Sequence, residues 1–268
     1  MGVTIGTRYP DRSGTMSKLV SVFCCGVQKG GTTSLHAYFA EHPALSPPRY
    51  KEIHFFDGEN LDSFPPDYAV LDAFYSPDDG DRRRFDITPI YSFWPPALAR
   101  IHKYNPNARL IFLFRDPFER AWSNWCMSYA FGHEVLPFAE AIREGRRRMD
   151  ELPPLASERR VYSYVERGFY AEQVRRALAY FPRENMLFLR SQDLFADHRA
   201  TLASIATFLD IPPFPDIPLK RENARPGIVF PSVPSEADRL LIAGLVRHDL
   251  REFADLTGLD ISDWATMR

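Results

Sequence analysis

The junction at residues 19–34 constrains this chain more than any other stretch. Leu19-Val-Ser-Val-Phe-Cys-Cys-Gly26 is apolar and β-branched on both parities, the pattern of a strand covered on both faces, as in a parallel sheet. Gly26-Val-Gln-Lys-Gly-Gly-Thr-Thr-Ser34 follows and leads into a helix expected over residues 32–42, closed by Pro43. A glycine-rich turn in that position aims the amides of residues 31–34 beyond the helix N-terminus, where the dipole favours an anion. The junction reads as a phosphate cradle. Against the pattern G-x-x-x-x-G-K-[ST], Gly26, Gly31 and Thr33 match, but Thr32 stands where the lysine belongs and Lys29 sits within the loop. No later apolar strand ends in an aspartate placed to hold Mg²⁺, since the best one runs into Arg115. The reading is an anion site with no metal ligand.

Arg109-Leu-Ile-Phe-Leu-Phe114 is a second strong strand, and Arg115-Asp-Pro follows at once. Asp116 is placed to cap the next helix and Pro117 to open it. Asn185-Met-Leu-Phe-Leu189 repeats the pattern after an amphipathic stretch at residues 170–181. Shorter extended pieces are expected at Ile53-His-Phe-Phe56 and Phe85-Asp-Ile87. Strands alternating with helices predict an α/β fold of three layers, a central parallel sheet with helices on both faces. The 268 residues suit one domain over residues 18–268, after an aperiodic lead-in at residues 1–17 expected to be flexible. Many of the 23 prolines fall in pairs such as Pro65-Pro66 and Pro95-Pro96, so connections are long and stiff. Arg146-Arg147-Arg148 is expected on a solvated helix face.

A formal net charge of −2 provides no bulk attraction to nucleic acid or anionic lipid, so an anion must be met by a local pocket. Cys24, Cys25 and Cys126 form no closed disulfide set, which points to a reducing cytoplasm. The longest apolar run, residues 19–27, is too short to span a bilayer, and no secretory signal precedes it.

Lys29-Gly-Gly-Thr-Thr-Ser34 resembles the 5′-phosphosulfate loop of sulfotransferases that use 3′-phosphoadenylyl sulfate (PAPS), and Arg115-Asp-Pro-Phe-Glu-Arg-Ala-Trp-Ser123 resembles their 3′-phosphate motif. Lys51-Glu-Ile-His-Phe-Phe-Asp57 is similar to a stretch of the heparan-type members, where the Glu is the catalytic base and the His assists. Asp86-Ile-Thr-Pro-Ile-Tyr91, Arg167-Gly-Phe-Tyr170 and Leu256-Thr-Gly-Leu-Asp-Ile-Ser-Asp-Trp264 extend the likeness across nearly the whole domain. Two features depart from the heparan-type pattern. Asp86 stands near the position of a lysine, and a basic Gly-rich loop is reduced to Lys220-Arg221-Glu-Asn-Ala-Arg225-Pro-Gly227. The resemblance implies the sulfotransferase form of the P-loop nucleotide-binding fold, PAPS as co-substrate and PAP as product. It implies nucleotide contacts from Lys29, Gly30, Gly31, Thr32, Thr33, Ser34, Arg115, Ser123, Arg225 and Gly227, with the choice among Lys220, Arg221 and Arg225 for the closing cation left open.

Sulfuryl transfer passes an electron-poor centre in line between two oxygens, so catalysis is positioning plus charge stabilisation. Lys29 is the expected donor to the bridging oxygen. Glu52 is the leading candidate base and His54 its competitor; on an extended segment the two share a face and Lys51 points away. The aromatics Phe55, Phe56, Tyr68, Phe74, Tyr75, Tyr91, Phe93 and Trp94 are expected to divide between the core and an acceptor cleft for a carbohydrate or small molecule. A metal-dependent nucleotide kinase and a non-catalytic nucleotide-binding module are the alternative readings.

Overall fold

The computed structural model describes residues 8–10, 16–59, 66–220 and 229–268. In chain order its elements are β1 (Arg8–Pro10), β2 (Met16–Lys18), β3 (Val20–Gly26), α1 (Thr32–Ala40), β4 (Leu45–Ser46), β5 (Arg83–Ile87), α2 (Ala97–Tyr104), β6 (Arg109–Phe114), α3 (Pro117–Ala130), α4 (Phe138–Glu151), α5 (Arg159–Tyr162), α6 (Tyr170–Leu178), β7 (Met186–Arg190), α7 (Ser191–Ala196), α8 (His198–Leu209) and α9 (Glu236–Thr257). β1 and β2 pair as an antiparallel ribbon that overlaps the expected lead-in and runs one residue past it, to Lys18. The remaining five strands form one sheet in the order β4-β5-β3-β6-β7, parallel throughout.

The double-sided apolar pattern of the central strands is what builds three layers. In β6, Leu110, Phe112 and Phe114 enter a core shared with α2, α3, α4, α6 and α9, whereas Ile111 and Leu113 enter a second core with α1 and α8. β3 divides likewise, Phe23 and Cys25 to the first core, Val22 and Cys24 to the second. Alternate side chains of one strand therefore anchor opposite helical layers. Among the described residues no helix is long and apolar enough to cross a membrane.

Because all five strands run the same way, their C-terminal ends share one edge, and the loops leaving β3, β5, β6 and β7 gather there. The chain travels from β3 out to β4 and β5 on one side, then crosses to β6 and β7 on the other. The loops after β3 and β6 thus part at a switch point, where open α/β sheets leave a crevice.

One expected strand is absent. Ile53-His-Phe-Phe56 is an irregular loop in which Glu52 (φ 64) and His54 (φ 55) are both left-handed. Two such residues turn the chain out of the extended form, so the alternation that set Lys51 and Glu52 on opposite faces does not apply.

The turn after β3 is pressed onto β6. Val27 N–H donates to Leu113 O at 3.0 Å and Gly30 N–H to Val27 O at 2.9 Å. A Cβ at Gly30 would overlap the Leu113 carbonyl oxygen, and Gly31 has φ 94. Gly30→Ala must displace backbone and is expected to destabilise by about 1–3 kcal/mol, lowering Tm by roughly 3–10 °C. Gly244→Ala, on the open face of α9 with nothing within 4 Å of the new methyl, is expected to stabilise by about 0.5–1 kcal/mol. Thermal unfolding of the two variants side by side checks both, and equal Tm values would show that the turn is not so confined.

Candidate functional site

The crevice is a cleft of ≈ 460 Å³ into which Lys29, Gly31, Thr32, Thr33, Ser34, Lys51, Glu52, Arg115 and Ser123 all face. Its floor is the start of α1. Gly31, the N-cap, has no side chain to cap the helix, and no acidic residue lies in the first turn. The first-turn amides and the positive end of the dipole are accordingly presented to the cleft. Gly30 is buried behind them, where its lack of a side chain allows the close approach to β6. Lys29, left-handed at φ 71, rests its Nζ 3.7 Å from Met127 Sδ of α3.

The other wall comes from β6 and α3. Asp116 accepts from Glu119 N–H and caps α3, with Pro117 in the first turn. The same carboxylate accepts from Thr266 N–H at 2.9 Å and Thr266 Oγ1 at 2.6 Å, tying the chain's tail to this corner. Tyr170 Oη donates to Arg115 O at 2.6 Å. Arg115 is thereby fixed at the strand end, and Ser123 follows two turns along α3, so both flank the cleft. Arg115 Nε is 3.1 Å from Glu119 Oε2, with side chains 33% and 54% exposed. An ion pair so exposed contributes little, so it leaves the Arg115 guanidinium exchangeable.

The loop at residues 51–58 supplies the carboxylate. Lys51 Nζ is ion-paired to Glu52 Oε1, and Glu52 Oε2 lies 3.4 Å from His54 Nε2. This is the correction to the extended reading: Lys51 is turned toward Glu52, not away. His54 Nδ1 is 2.9 Å from Asp57 Oδ2, and Arg160 grips the same Asp57 oxygen. Hydrogen bonds to Asp57 and then Glu52 outweigh burial and raise the His54 pKa to about 9. Burial alone would raise Glu52, but the His54 hydrogen bond and the Lys51 charge reverse the sign and bring it to about 2. At neutral pH the loop is a carboxylate held by two cations.

Several site residues carry no signal in the sequence. Arg160 lies 103 positions from Asp57, and Arg167 lies 139 from Gln28, whose Oε1 it contacts at 2.6 Å. Arg100 donates to Phe56 O at 2.9 Å and Gly58 O at 2.8 Å, pinning the carboxylate loop. Asp86 is fully buried and accepts from Thr88 Oγ1 at 2.6 Å, Tyr91 Oη at 2.8 Å and the Ile53 amide; burial raises its pKa to about 6 against these bonds. Thus the residue at the departure from the heparan-type pattern supports the loop from beneath. Of the aromatics expected to divide between core and cleft, Phe56, Tyr68, Tyr75, Tyr91 and Trp94 are core, and Phe55, Phe74 and Phe93 pack against it. Lys220 pairs with Glu41 at the far end of α1, about 13 Å from the cradle along the helix. Arg221, Arg225 and Gly227 lie outside the described residues. Arg146 and Arg148 pair with Glu166 and Glu134, leaving Arg147 as the solvated member of the expected face.

The His54 clamp has a measurable sign. A histidine whose folded pKa is raised adds stability that is complete below its unfolded value, near 6.5, and is lost as pH rises through the folded value, about 9 here. Imidazole NMR of the ligand-free protein is expected to titrate His54 near 9, and Asp57→Asn to move the midpoint down toward 6.5. A wild-type midpoint near 6.5 would mean the clamp does not form in solution.

Comparison with known proteins places the chain in a family and matches its fold. Residues 20–221 match the family model described as the sulfotransferase domain. The chain is 28% identical over 217 residues to the bifunctional heparan sulfate N-deacetylase/N-sulfotransferase 3 of Homo sapiens, covering 74% of this chain and 23% of that protein. It is 27% identical over 202 residues to heparan sulfate glucosamine 3-O-sulfotransferase 5 of Homo sapiens, covering 74% of this chain and 55% of that protein. The chain therefore spans about a quarter to a half of the length of these relatives. In fold it is similar to the crystal structure of a sulfotransferase from Alicyclobacillus acidocaldarius, with a TM-score of 0.75 at 24% identity over 92% of this chain and 98% of that one.

Proposed function

The chain belongs to the sulfotransferase domain family, and on that premise we propose that it moves a sulfuryl group from PAPS to a hydroxyl or amine of a carbohydrate or small-molecule acceptor, leaving PAP. The observation that carries the proposal is the meeting, in one cleft, of an uncapped helix start, Lys29, the Arg115–Ser123 pair and a carboxylate. The cleft suits the nucleotide on its own chemistry. A Cβ at Gly31 would crowd Phe195 and Ser191 Oγ at 3.2–3.4 Å and the residue's φ of 94 favours glycine, so no side chain stands between the first amides of α1 and an anion. Thr32, Thr33 and Ser34 hold the 5′-phosphate, and Arg115 with Ser123 holds the 3′-phosphate by charge-assisted hydrogen bonds.

PAPS supplies a sulfuryl group already bonded to a phosphate leaving group. The protein's part is to neutralise the charge that grows on the bridging oxygen, which falls to Lys29, and to receive the acceptor's proton. Glu52 is the better-supported base. His54 is protonated at neutral pH while it lies between Asp57 and Glu52, and a protonated imidazole orients a carboxylate but accepts no proton. The names of the relatives make glucosamine-bearing oligosaccharides the first acceptors to try. Thiols on Cys24, Cys25 and Cys126, none in a disulfide, support a reducing compartment, for which we propose the cytoplasm.

Incubation with PAPS and an acceptor panel is expected to add the mass of one SO₃ to an acceptor without added metal. Turnover that instead demanded ATP and Mg²⁺ would favour a kinase. By calorimetry, PAP is expected to bind at least about tenfold tighter than AMP, and Arg115→Ala to erase most of that difference; equal affinities in the wild type would remove the 3′-phosphate assignment. Glu52→Gln is expected to cost about 10²–10⁴-fold in turnover with PAP binding intact, while His54→Ala keeps residual activity. An active Glu52→Gln beside a dead His54→Ala would transfer the base to His54.

A further inference from the structure

Lys51 faces the same cleft as Lys29 and the α1 amides, yet no step above uses it. Its ammonium is ion-paired to Glu52 Oε1 while His54 Nε2 lies 3.4 Å from Oε2. Both oxygens of the carboxylate are therefore engaged by cations in the ligand-free cleft. Arg167 behind the loop and His36 on α1 are the further basic groups that sense this cluster, and Asp57 stands beyond His54. A carboxylate held in this way is a weak proton acceptor. The Lys51 side chain, 19% exposed, ends a flexible stem and carries a point charge that pairs with any oxyanion in reach.

We propose that Lys51 is a further catalytic residue that faces the transferring sulfuryl group, passing its ammonium from Glu52 Oε1 to a sulfuryl oxygen when the donor binds. The exchange does two things at once: it neutralises charge on the group in flight, and it releases Glu52 Oε1 to receive the acceptor's hydrogen. In the step itself the acceptor oxygen or nitrogen forms a bond to sulfur as the bond from sulfur to the bridging oxygen breaks. The electron pair of that bond leaves with the 5′-phosphate of PAP, the acceptor's proton passes to Glu52, and Lys51 keeps its own proton throughout. Base activation is thereby coupled to the presence of an intact donor, because the 5′-phosphate of PAP stays on the α1 amides and Lys29 and only the sulfuryl group of PAPS extends from there to Lys51. The inference rests on the sulfotransferase reading.

Calorimetry without acceptor separates the two. For Lys51→Met, PAPS binding is expected to weaken roughly tenfold while PAP binding stays within about twofold of wild type, and Lys51→Arg is expected to recover part of the loss. Retained PAP binding also reports that the variants are folded. Carboxyl NMR supplies the second readout: Glu52 is expected to titrate near 2 in the ligand-free protein, where His54 and Lys51 hold it, and its midpoint is expected to rise in Lys51→Met and in wild type saturated with PAPS, but not with PAP. Equal weakening of PAP and PAPS, PAPS binding unchanged in Lys51→Met, or a Glu52 midpoint indifferent to PAPS would each overturn the role of Lys51 and leave the sulfotransferase reading standing. A wild-type protein that binds neither nucleotide would overturn the reading and the inference together.

Discussion

The cleft depends on how closely the turn after β3 lies against β6. The 3.0 Å bond from Val27 N–H to Leu113 O locks the first residue of the turn to the neighbouring strand. Gly30 allows the backbone to pass the same carbonyl where any side chain would collide. With the turn seated there, α1 starts at the sheet edge with its amides outward, and Arg115, the residue that ends the neighbouring strand, stands beside it. The Arg115 NH1 contact to Lys29 O at 3.4 Å records that proximity. The uncapped start of α1 and the Arg115 guanidinium are thus brought to one side of the sheet by the pairing of β3 with β6, and the Tyr170 hydroxyl bonded to Arg115 O fixes the strand end there.

Electrostatics in the cleft are local in origin. A chain with a net charge of −2 draws no anion by its overall field, but the crevice concentrates Lys29, Lys51, Arg115 and a helix N-terminus over one volume. The cost of crowding cations is offset by carboxylates within reach: Glu119 beside Arg115 and Glu52 beside Lys51. These pairs are partly exposed, so they are weak enough to be exchanged for the oxygens of a ligand. The deeper pairs are of another kind. Asp57 with Arg160 and Asp86 with Tyr91 have little or no exposure on the carboxylate side, and they hold the loop rather than the ligand. Replaceable ion pairs face the cleft, and buried carboxylates with fixed hydrogen bonds stand behind it.

What could be read from residues alone follows from interactions that are short in sequence. Double-sided apolar strands, the Gly-rich turn, the Asp116-Pro117 helix start and the two phosphate motifs are each encoded within about ten residues, because hydrogen-bond geometry and strand parity act at that range. They determined the parallel sheet, its three layers, and which residues at the ends of β3 and β6 line the cleft, Lys29 and Thr32 to Ser34 on one side and Arg115 with Ser123 on the other. The carboxylate loop reads as extended from its residues, because the identities of Glu52 and His54 carry no mark of the left-handed backbone they adopt, and the hydrogen bonds that hold it, from Arg100 and to Asp86, come from distant segments. Arg160 and Arg167 reach the site from across a hundred residues with no spacing to announce them. The chemistry of the cleft was therefore legible as a set of residues, whereas the charge state of that set was not. Whether Glu52 is a ready base or a carboxylate clamped between Lys51 and His54 depends on contacts that exist only once distant segments have closed on one another, and tertiary structure alone decided it.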